Sequence, residues 1–554
     1  MTLAVPERHA RTAQWAAVGL GAVLRLRQYL HGRPVWLDEA MLLNNILGRS
    51  FGELLAPLES DQTAPVPFLW AVKLCANLFG TDERVLRLAP FLAGLALLVV
   101  VMLVARRVLP PWPAAVAVLL TALSPMLIYY ANEVKPYGVD ALWLALLTLL
   151  ALRLGERPEA RGRWVAVLLT GTWVAVASSP APFVLAAVGL ALVLKPGVRR
   201  ARGAWGWLAA MALLWGVAFG TEYLLVYRAA SDSAYMQRFW LPFFLSPALP
   251  GLLAKTDTAL TLALQQWFLA SGGGWRVLVA YGLLLPIGAG VIMLARRHGP
   301  ALLALLFLPL ALALLASAAQ AYPAAPRLLL FSLPGLILAL AAGTGAIAEG
   351  LGRRWPVAWL AAGAAALAFL PGLDAARMLL EPYEREALAP LIARVRAEHQ
   401  PGAAIYVFGR SVPAWVFYTT DWRAPDLARV RGRSALVSST GGAFRHAASR
   451  GRPVVDEGDD LIFGYADWRE LIGVPTGTGP DSTGVNATRP DTGWAENEAR
   501  RLKAAGGPEA WVVMSSFIPG APDLVDSALA ANGGRRLFRE ERSGAVLSRW
   551  EFRP

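Results

Sequence analysis

Long apolar runs alternate with short polar segments through the first two thirds of the chain. A membrane-spanning helix needs about 20 mostly apolar residues, and eleven stretches approach that length. The first is the weakest, because Arg25 and Arg27 lie near its outer end. The pattern predicts about 11 transmembrane helices, at residues 12–30, 85–105, 112–130, 137–153, 164–179, 180–195, 204–227, 275–295, 299–319, 327–348 and 354–371.

Two of the segments between these runs are much longer than a connection requires. They cover residues 31–84 and 228–274, and both are predicted to lie on the same side of the membrane. They contain amphipathic stretches at 36–47, 67–79 and 252–269, which are suited to lie along a membrane surface. Long structured segments on one face usually carry function.

From residue 381 onward the pattern becomes that of a soluble domain in which strands and helices alternate. Such alternation predicts a small, partly parallel sheet. The glycine-rich stretch 473–493 predicts a mobile loop. The chain is thereby divided into a transmembrane domain, 1–371, and a C-terminal soluble α/β domain, 372–554. In the second domain the pattern predicts helices at 384–399, 412–420 and 523–531, and strands at 403–408, 510–515, 536–539 and 545–550.

The composition agrees with a membrane protein. Of the 554 residues, 56% are hydrophobic and 16% are charged, whereas soluble domains carry about 45–50% apolar and about 25% charged residues. The composition therefore argues against an ordinary cytosolic enzyme and against a disordered or fibrous chain. The single cysteine, Cys75, excludes an intramolecular disulfide and a cysteine-based zinc site.

The net charge of +13 is confined to the membrane part of the chain. From Asp374 onward, 23 basic residues balance 23 acidic ones, so residues 1–371 hold 29 bases against 16 acids. With the N-terminus inside, the short inner segments carry 16 of those bases and only four acids. This positive-inside pattern predicts a cytoplasmic N-terminus and an extracytoplasmic C-terminal domain. It also argues against a nucleic-acid partner.

The first candidate group is the acid pair Asp38 and Glu39, in the first long outer segment. Adjacent acids beside a membrane helix can supply a general base near the interface. The alternative is that Asp38 caps the helix that follows it. The residues alone leave both interpretations open.

The second group, Glu133, Lys135 and Tyr137, follows the third predicted span. A carboxylate can orient a sugar hydroxyl or hold a metal, and a lysine can meet a phosphate as a point charge. The alternative is an aromatic belt with a helix cap at the membrane interface. That alternative explains the tyrosine but not the charges, and charges at a membrane edge are usually functional.

The third group, Tyr322 and Arg327, begins the tenth predicted span. Arginine binds phosphate well because its planar guanidinium group can donate two parallel hydrogen bonds to the phosphate oxygens. A snorkelling interfacial arginine is the alternative.

Several further polar residues are candidates for the same pocket. Asp140 lies inside the fourth span, about two turns from the second group. Gln62 and Lys73 are additional candidates, and Glu222 is a weaker one. The five histidines are scattered, so the sequence predicts no histidine-rich metal site.

Taken together, the three groups resemble motifs of the GT-C glycosyltransferases of the family 39 type, which includes protein O-mannosyltransferases and the aminoarabinose transferase of lipid A. The segment Trp36–Glu39 resembles the acidic motif of the first outer loop, and Glu133–Tyr137 resembles the second acidic motif. Tyr322 with Arg327 resembles the late motif before a membrane helix. The likeness covers nearly the whole chain and is closest to bacterial members, which implies a multi-pass protein of the bacterial plasma membrane.

The resemblance implies a sugar donor carried on polyprenyl phosphate, in contact with membrane lipids. The acceptor is a protein, a lipid or a glycan that approaches from outside, and the transfer inverts the anomeric carbon. Asp38 is the implied base, while Glu39 and Glu133 orient it, the sugar or the acceptor. Lys135 and Arg327 are implied to hold the donor phosphate and stabilise it as it leaves.

No metal is required by this chemistry, since the leaving group is a phosphate monoester rather than a diphosphate. The chain has Asn132 before Glu133 where some relatives have an aspartate. A divalent metal at the second motif is therefore not supported.

Two other classes of protein compete with an enzyme. A transporter or flippase of a lipid-linked saccharide shares the spans and the polar groups. Transporters usually contain internal repeats or broken helices near the midplane, whereas this chain has no visible repeat and its candidate groups cluster at one face. A sensor or scaffold leaves the charged residues of the three groups unexplained.

Overall fold

The computed structural model describes residues 7–268, 275–351, 356–422, 455–456, 461–463, 492–504, 507–517 and 519–552. The chain divides into two compact units. The first, here called the membrane unit, comprises Met1–His31 and Ala64–Pro382. The second, here called the α/β unit, comprises Gly32–Thr63 and Tyr383–Pro554.

Helices account for most of the described chain before residue 381. They are α1 (Glu7–His31), α2 (Leu37–Gly48), α3 (Val66–Phe79), α4 (Glu83–Leu86), α5 (Leu88–Val108), α6 (Pro111–Leu123), α7 (Pro125–Tyr130), α8 (Tyr137–Glu156), α9 (Arg161–Ala177), α10 (Ala181–Leu194), α11 (Pro196–Arg199), α12 (Ala204–Glu222), α13 (Arg228–Asp232), α14 (Ala234–Trp240), α15 (Leu249–Phe268), α16 (Arg276–His298), α17 (Pro300–Ala318), α18 (Leu333–Leu351) and α19 (Pro356–Leu380). All but α2 belong to the membrane unit.

The helices agree with the predicted spans in position. Within the described residues, seven helical segments are long and apolar enough to cross a membrane. A polytopic α-helical membrane protein is thereby confirmed, while the count of eleven spans stays a prediction. The seven segments are Leu88–Val108, Tyr137–Glu156, Ala204–Asp232, Arg276–His298, Pro300–Ala318, Leu330–Leu351 and Ala358–Leu380.

The predicted span 112–130 is interrupted in the structure. Helix α6 ends at Leu123 and α7 begins at Pro125. Proline has no N–H to donate and disfavours a helical residue before it, and Ser124 accordingly takes ψ 116°. The chain therefore turns here, before it reaches the second candidate group.

A close crossing of α16 and α18 anchors the core of the membrane unit. A Cβ atom added to Gly290 would lie 1.8 Å from the carbonyl oxygen of Ala339, and one added to Gly343 would lie 1.7 Å from that of Pro286. Only glycine permits this approach, which is how helices commonly pack in a membrane.

The described part of the α/β unit contains a mixed sheet of six strands. The strands are β1 (Ala404–Val407), β2 (Val455–Asp456), β3 (Leu461–Phe463), β4 (Glu509–Ser515), β5 (Gly534–Arg542) and β6 (Ala545–Phe552). Their order is β2-β3-β1-β4-β6-β5, and β1 pairs in parallel with both β3 and β4. The predicted partly parallel sheet is confirmed, although β2 and β3 were not predicted.

Among its described residues, this unit also has the helices α20 (Leu388–Glu398), α21 (Val412–Thr419), α22 (Thr492–Ala504) and α23 (Ala521–Ala531). Helices α22 and α23 pack with the sheet around a core that includes Tyr406, Trp494, Val512 and Trp550. The predicted loop 473–493 lies almost entirely outside the described residues.

The segment 32–63, which the sequence pattern assigned to the transmembrane domain, groups with the C-terminal residues. The backbone N–H of Val35 donates to the Tyr418 hydroxyl at 2.7 Å, and the Asn44 amide donates to the carbonyl oxygen of Pro413 at 3.0 Å. Helix α2 packs against α21. At 12 residues, α2 is also too short to span a bilayer.

Candidate functional site

The predicted acid pair lies in the first turn of α2. Helix α2 begins at Leu37, so Asp38 and Glu39 are inside the helix, and Asp38 does not act as its cap. Glu39 is completely buried and its carboxylate is 3.8 Å from the guanidinium of Arg33, which is also buried. Asp38 is half-buried. The two neighbouring acids thus differ in access, and Asp38 is the more accessible one.

Gln62 lies at the end of the same segment of the α/β unit. Its side-chain amide donates to the carbonyl oxygen of Ser60 at 3.1 Å and lies 3.6 Å from the sulfur of Met41, in α2. Ser60 and Asp61 both have positive φ values, 61° and 49°. Non-glycine residues rarely adopt this conformation, and such backbone strain concentrates at functional sites.

The second candidate group forms a compact turn between α7 and α8. The backbone N–H of Lys135 donates to the carbonyl oxygen of Glu133 at 2.7 Å. Glu133 is 1% exposed and Lys135 is 5% exposed. A carboxylate and an ammonium are costly to bury at the edge of an apolar bundle, so this turn stays a candidate for binding or catalysis.

The third group meets the second in space. The guanidinium of Arg327 lies 6.0 Å from the ring centre of Tyr137 and 5.0 Å from that of Trp240. The ring of Tyr130 packs edge-on against Tyr137 at 5.1 Å, and the Tyr130 phenol lies within electrostatic range of both Glu133 and Arg327. Two motifs that are far apart in the sequence therefore share one aromatic cluster.

Asp140 and Tyr322 extend this polar cluster. One carboxylate oxygen of Asp140 accepts a hydrogen bond from the Ser178 hydroxyl at 2.6 Å. The Tyr322 hydroxyl donates to the carbonyl oxygen of Leu328 at 2.9 Å. Burial, with a contribution from Asp140, raises the pKa of the Tyr322 phenol well above its usual value.

Glu222 lies near the same cluster and was only a weak candidate in the sequence. Its carboxylate accepts a hydrogen bond from the backbone N–H of Val66, the first residue of α3, at 3.0 Å. It falls within range of the Tyr227 phenol, which lies 3.2 Å from the Ser179 hydroxyl. In the sequence, Glu222 was recognisable as a single acid in an apolar stretch. No sequence pattern indicated Ser179 or Tyr227. Lys73 is a buried residue of α3.

The candidate residues are distributed over both units. Within the described residues, no group of three or more histidine, cysteine, aspartate or glutamate side chains is arranged to hold a metal ion. Metal independence stays a prediction. The α/β unit contains Asp38, Glu39 and Gln62, and the membrane unit contains Lys73, Glu133, Lys135, Tyr137, Asp140, Tyr322 and Arg327.

The fold is that of a polytopic helical membrane protein. Aromatic and polar residues, among them Tyr130, Tyr137 and Arg327, form a cluster near the ends of its helices. Residues 63–219 match the family model described as "Dolichyl-phosphate-mannose-protein mannosyltransferase". That segment contains the second candidate group, and over it the resemblance to GT-C glycosyltransferases is confirmed.

Several solved structures are similar to this chain. ArnT from Cupriavidus metallidurans, in the apo state, is 17% identical, with 97% of this chain and 98% of that chain covered and a TM-score of 0.37. The same protein bound to undecaprenyl phosphate is 18% identical, with 96% and 97% covered and a TM-score of 0.39. The oligosaccharyltransferase AglB from Archaeoglobus fulgidus, in complex with an inhibitory peptide and a dolichol-phosphate, is 13% identical, with 97% and 74% covered and a TM-score of 0.48. No curated protein matches the chain.

Proposed function

We propose that this protein is an integral membrane glycosyltransferase that moves a sugar from a polyprenyl-phosphate donor to an acceptor. The observation that carries the proposal is the packing of Arg327 on Tyr137. This contact brings a cation suited to bind phosphate next to the Glu133–Tyr137 motif. The family match to residues 63–219, which include this motif, supports the same class of reaction.

The donor phosphate is assigned to Lys135 and Arg327. Lys135 supplies a buried positive charge. Arg327 supplies a planar guanidinium, which packs on the rings of Tyr137 and Trp240. Both cations gain interaction energy as negative charge develops on the departing phosphate, which is the electrostatic part of catalysis. Tyr137, Tyr322 and Asp140 line the same polar cluster.

The chemical step is a single displacement. The Asp38 carboxylate takes the proton of the acceptor hydroxyl while the acceptor oxygen forms a bond to the anomeric carbon of the sugar. The bond between that carbon and the phosphate oxygen breaks, and its electrons leave with the polyprenyl phosphate. Attack from the face opposite the phosphate inverts the anomeric carbon.

Glu39 and Glu133 are assigned supporting roles. Glu39 is held by Arg33 directly beside Asp38, so that it orients the base. Glu133 orients the sugar or the acceptor from the motif that carries Lys135. Because the leaving group is a phosphate monoester, the reaction needs no divalent metal to neutralise it.

The proposal includes a location and an orientation. We assign the N-terminus to the cytoplasm and the α/β unit to the extracytoplasmic side of a bacterial plasma membrane, and the distribution of basic residues supports this orientation. The acceptor, which is a protein, a lipid or a glycan, then approaches from that side.

Transfer by the purified, lipid-reconstituted protein tests the proposal. With a polyprenyl-phosphate sugar and an extract of candidate acceptors, we expect a new glycosidic bond detectable by mass spectrometry. Movement of the donor across the bilayer without any new bond would instead indicate a flippase.

The substitution Arg327→Ala should raise the KM for the donor about tenfold or more, as loss of a charge-assisted contact to phosphate does. The exposed Arg228 provides the control, Arg228→Ala, which should leave that KM unchanged.

A further inference from the structure

Helix α2 begins without a capping side chain of its own. Its N-cap residue, Trp36, makes no side-chain hydrogen bond to the first turn. The first N–H groups of a helix have no partner inside the helix, and they usually receive an acceptor from a serine, threonine, aspartate or asparagine. The N-cap residue of the helix that carries Asp38 and Glu39 therefore supplies no such acceptor.

Glu386 supplies that acceptor. One oxygen of its carboxylate accepts a hydrogen bond from the backbone N–H of Leu37, the first residue of α2, at 3.4 Å. The other oxygen accepts a hydrogen bond from the Ser516 hydroxyl. Glu386 is only 4% exposed, and a carboxylate at a helix N-terminus also interacts favourably with the helix dipole.

The position of Glu386 is itself fixed by the α/β unit. Ser516 directly follows β4 and has φ 54°, a strained conformation for a residue other than glycine. Arg385, the neighbour of Glu386, places its guanidinium 3.4 Å from the ring centre of Trp36. With the bond from Val35 to Tyr418, three consecutive residues before Asp38 are held by C-terminal residues.

We propose that Glu386 is a positioning residue that sets the orientation of α2, and through it that of Asp38 and Glu39. This inference rests on the proposed function, in which Asp38 is the base. It assigns a role to the C-terminal part of the chain: its first residues after the membrane unit order the helix that carries the base.

A purely structural role for Glu386 predicts a different outcome from a positioning role. A structural residue changes global stability and leaves the kcat of the folded fraction unchanged. A positioning residue lowers kcat in a folded protein, because a misplaced base loses rate. It leaves the KM for the donor unchanged, since the donor phosphate is assigned to Lys135 and Arg327.

The test compares Glu386→Ala, Glu386→Gln and the control Glu384→Ala in the full-length reconstituted protein. Glutamine retains an oxygen that can accept the Leu37 N–H, and Glu384 lies two residues away with no such contact. Amide hydrogen exchange in the first turn of α2 should rise about fivefold in Glu386→Ala, the size expected when a cap is lost. Its kcat should fall about tenfold, within the range that small misplacements produce, while Glu386→Gln recovers most of both values and Glu384→Ala matches the wild type.

Unchanged exchange in α2, or an unchanged kcat in Glu386→Ala, would overturn the proposal. If Glu386→Ala does not fold, Ser516→Ala removes one partner of the carboxylate and should show the same changes to a smaller degree, and no change would overturn the proposal in that case. Absence of sugar transfer by the wild type would contradict the proposed function, and with it the catalytic half of this inference. The exchange measurement would still decide whether Glu386 orders α2.

Discussion

Two helices of the first long outer segment begin with a remote carboxylate in place of a cap of their own. Glu386 accepts from the first residue of α2, and Glu222 accepts from Val66, the first residue of α3. The residues at the N-cap positions, Trp36 and Pro65, make no side-chain cap bond. Each helix start is thereby tied to a residue far away in the sequence.

Replacement of Glu222 by alanine should destabilise the membrane unit. The buried N–H of Val66 would lose its acceptor, and an unsatisfied buried donor costs about 1–3 kcal/mol. We expect a lower thermal midpoint in detergent for Glu222→Ala and a midpoint close to wild type for Glu222→Gln, which keeps an acceptor oxygen. Glu349 is exposed and serves as the control through Glu349→Ala. Equal midpoints for Glu222→Ala and the control would contradict the capping role.

The pH dependence of stability should reveal the free-energy cost of burying the ionised carboxylate of Glu386. Burial raises the pKa of its carboxyl group, although Ser516, the N–H of Leu37, Arg385 and Arg410 oppose the shift. A raised pKa means that the stability contributed by protonation is complete at low pH and is lost as the pH rises through the folded-state pKa. Replacement by the neutral Glu386→Gln should therefore raise the thermal midpoint at pH 7. The gain should shrink as the pH falls through the raised folded-state pKa and be largely gone below 4.5, the ordinary pKa of a glutamate. A pH-independent difference would contradict the shift.

At the scale of elements, most of what the sequence predicted depends on hydrophobic periodicity. Helices α8 and α16 coincide closely with their predicted spans because long, mostly apolar runs specify them. The break at Pro125 divided one predicted span, whereas α16 continues through Pro286. A proline within an apolar run therefore does not by itself predict where a helix ends. Strands β2 and β3 are too short to give a period-two signal.

The sequence indicated the individual candidate residues of the site, but not the contacts between them. Lone charges beside apolar runs marked Glu133, Lys135 and Arg327. The packing of Arg327 on Tyr137 depends on how distant helices fold together, which no local pattern encodes. Glu386 was missed because it is one acid among many in a charged segment, and only the fold shows that it is buried at the start of α2.

The crossing of α16 and α18 should tolerate no side chain at its closest point. A Cβ atom at Gly343 would overlap the carbonyl oxygen of Pro286, so Gly343→Val must force the two helices apart. We expect a loss of at least about 2 kcal/mol in stability, typical of overpacking in a tight core. Gly282→Val, at a helical glycine with open space around it, is the matched control. Similar thermal midpoints for the two variants would contradict the close crossing.

At the scale of the whole molecule, the charge distribution is a prediction about topology. The excess of basic residues belongs to short segments that alternate with the spans, and the C-terminal part is neutral in sum. Topology therefore follows from counting charges by segment rather than from the net charge of the chain.

A cysteine-labelling experiment tests this orientation directly. Replacement of the sole cysteine, as Cys75→Ala, provides a background for single cysteines placed at Glu384 or Arg297. A membrane-impermeant maleimide should label Glu384→Cys in intact cells and label Arg297→Cys only after permeabilisation. The reverse pattern would place the α/β unit in the cytoplasm and contradict the proposed orientation.

The central claim is that Asp38 removes the proton of the acceptor during sugar transfer. The most direct measurement is the single-turnover rate of glycosidic-bond formation from a saturating polyprenyl-phosphate donor, for the wild type, Asp38→Asn and the exposed-acid control Asp82→Asn. Loss of a general base costs about 10²–10⁴-fold in rate. We predict a decrease of that size for Asp38→Asn, with donor binding and the control rate unchanged. An Asp38→Asn rate close to that of the wild type would contradict the account.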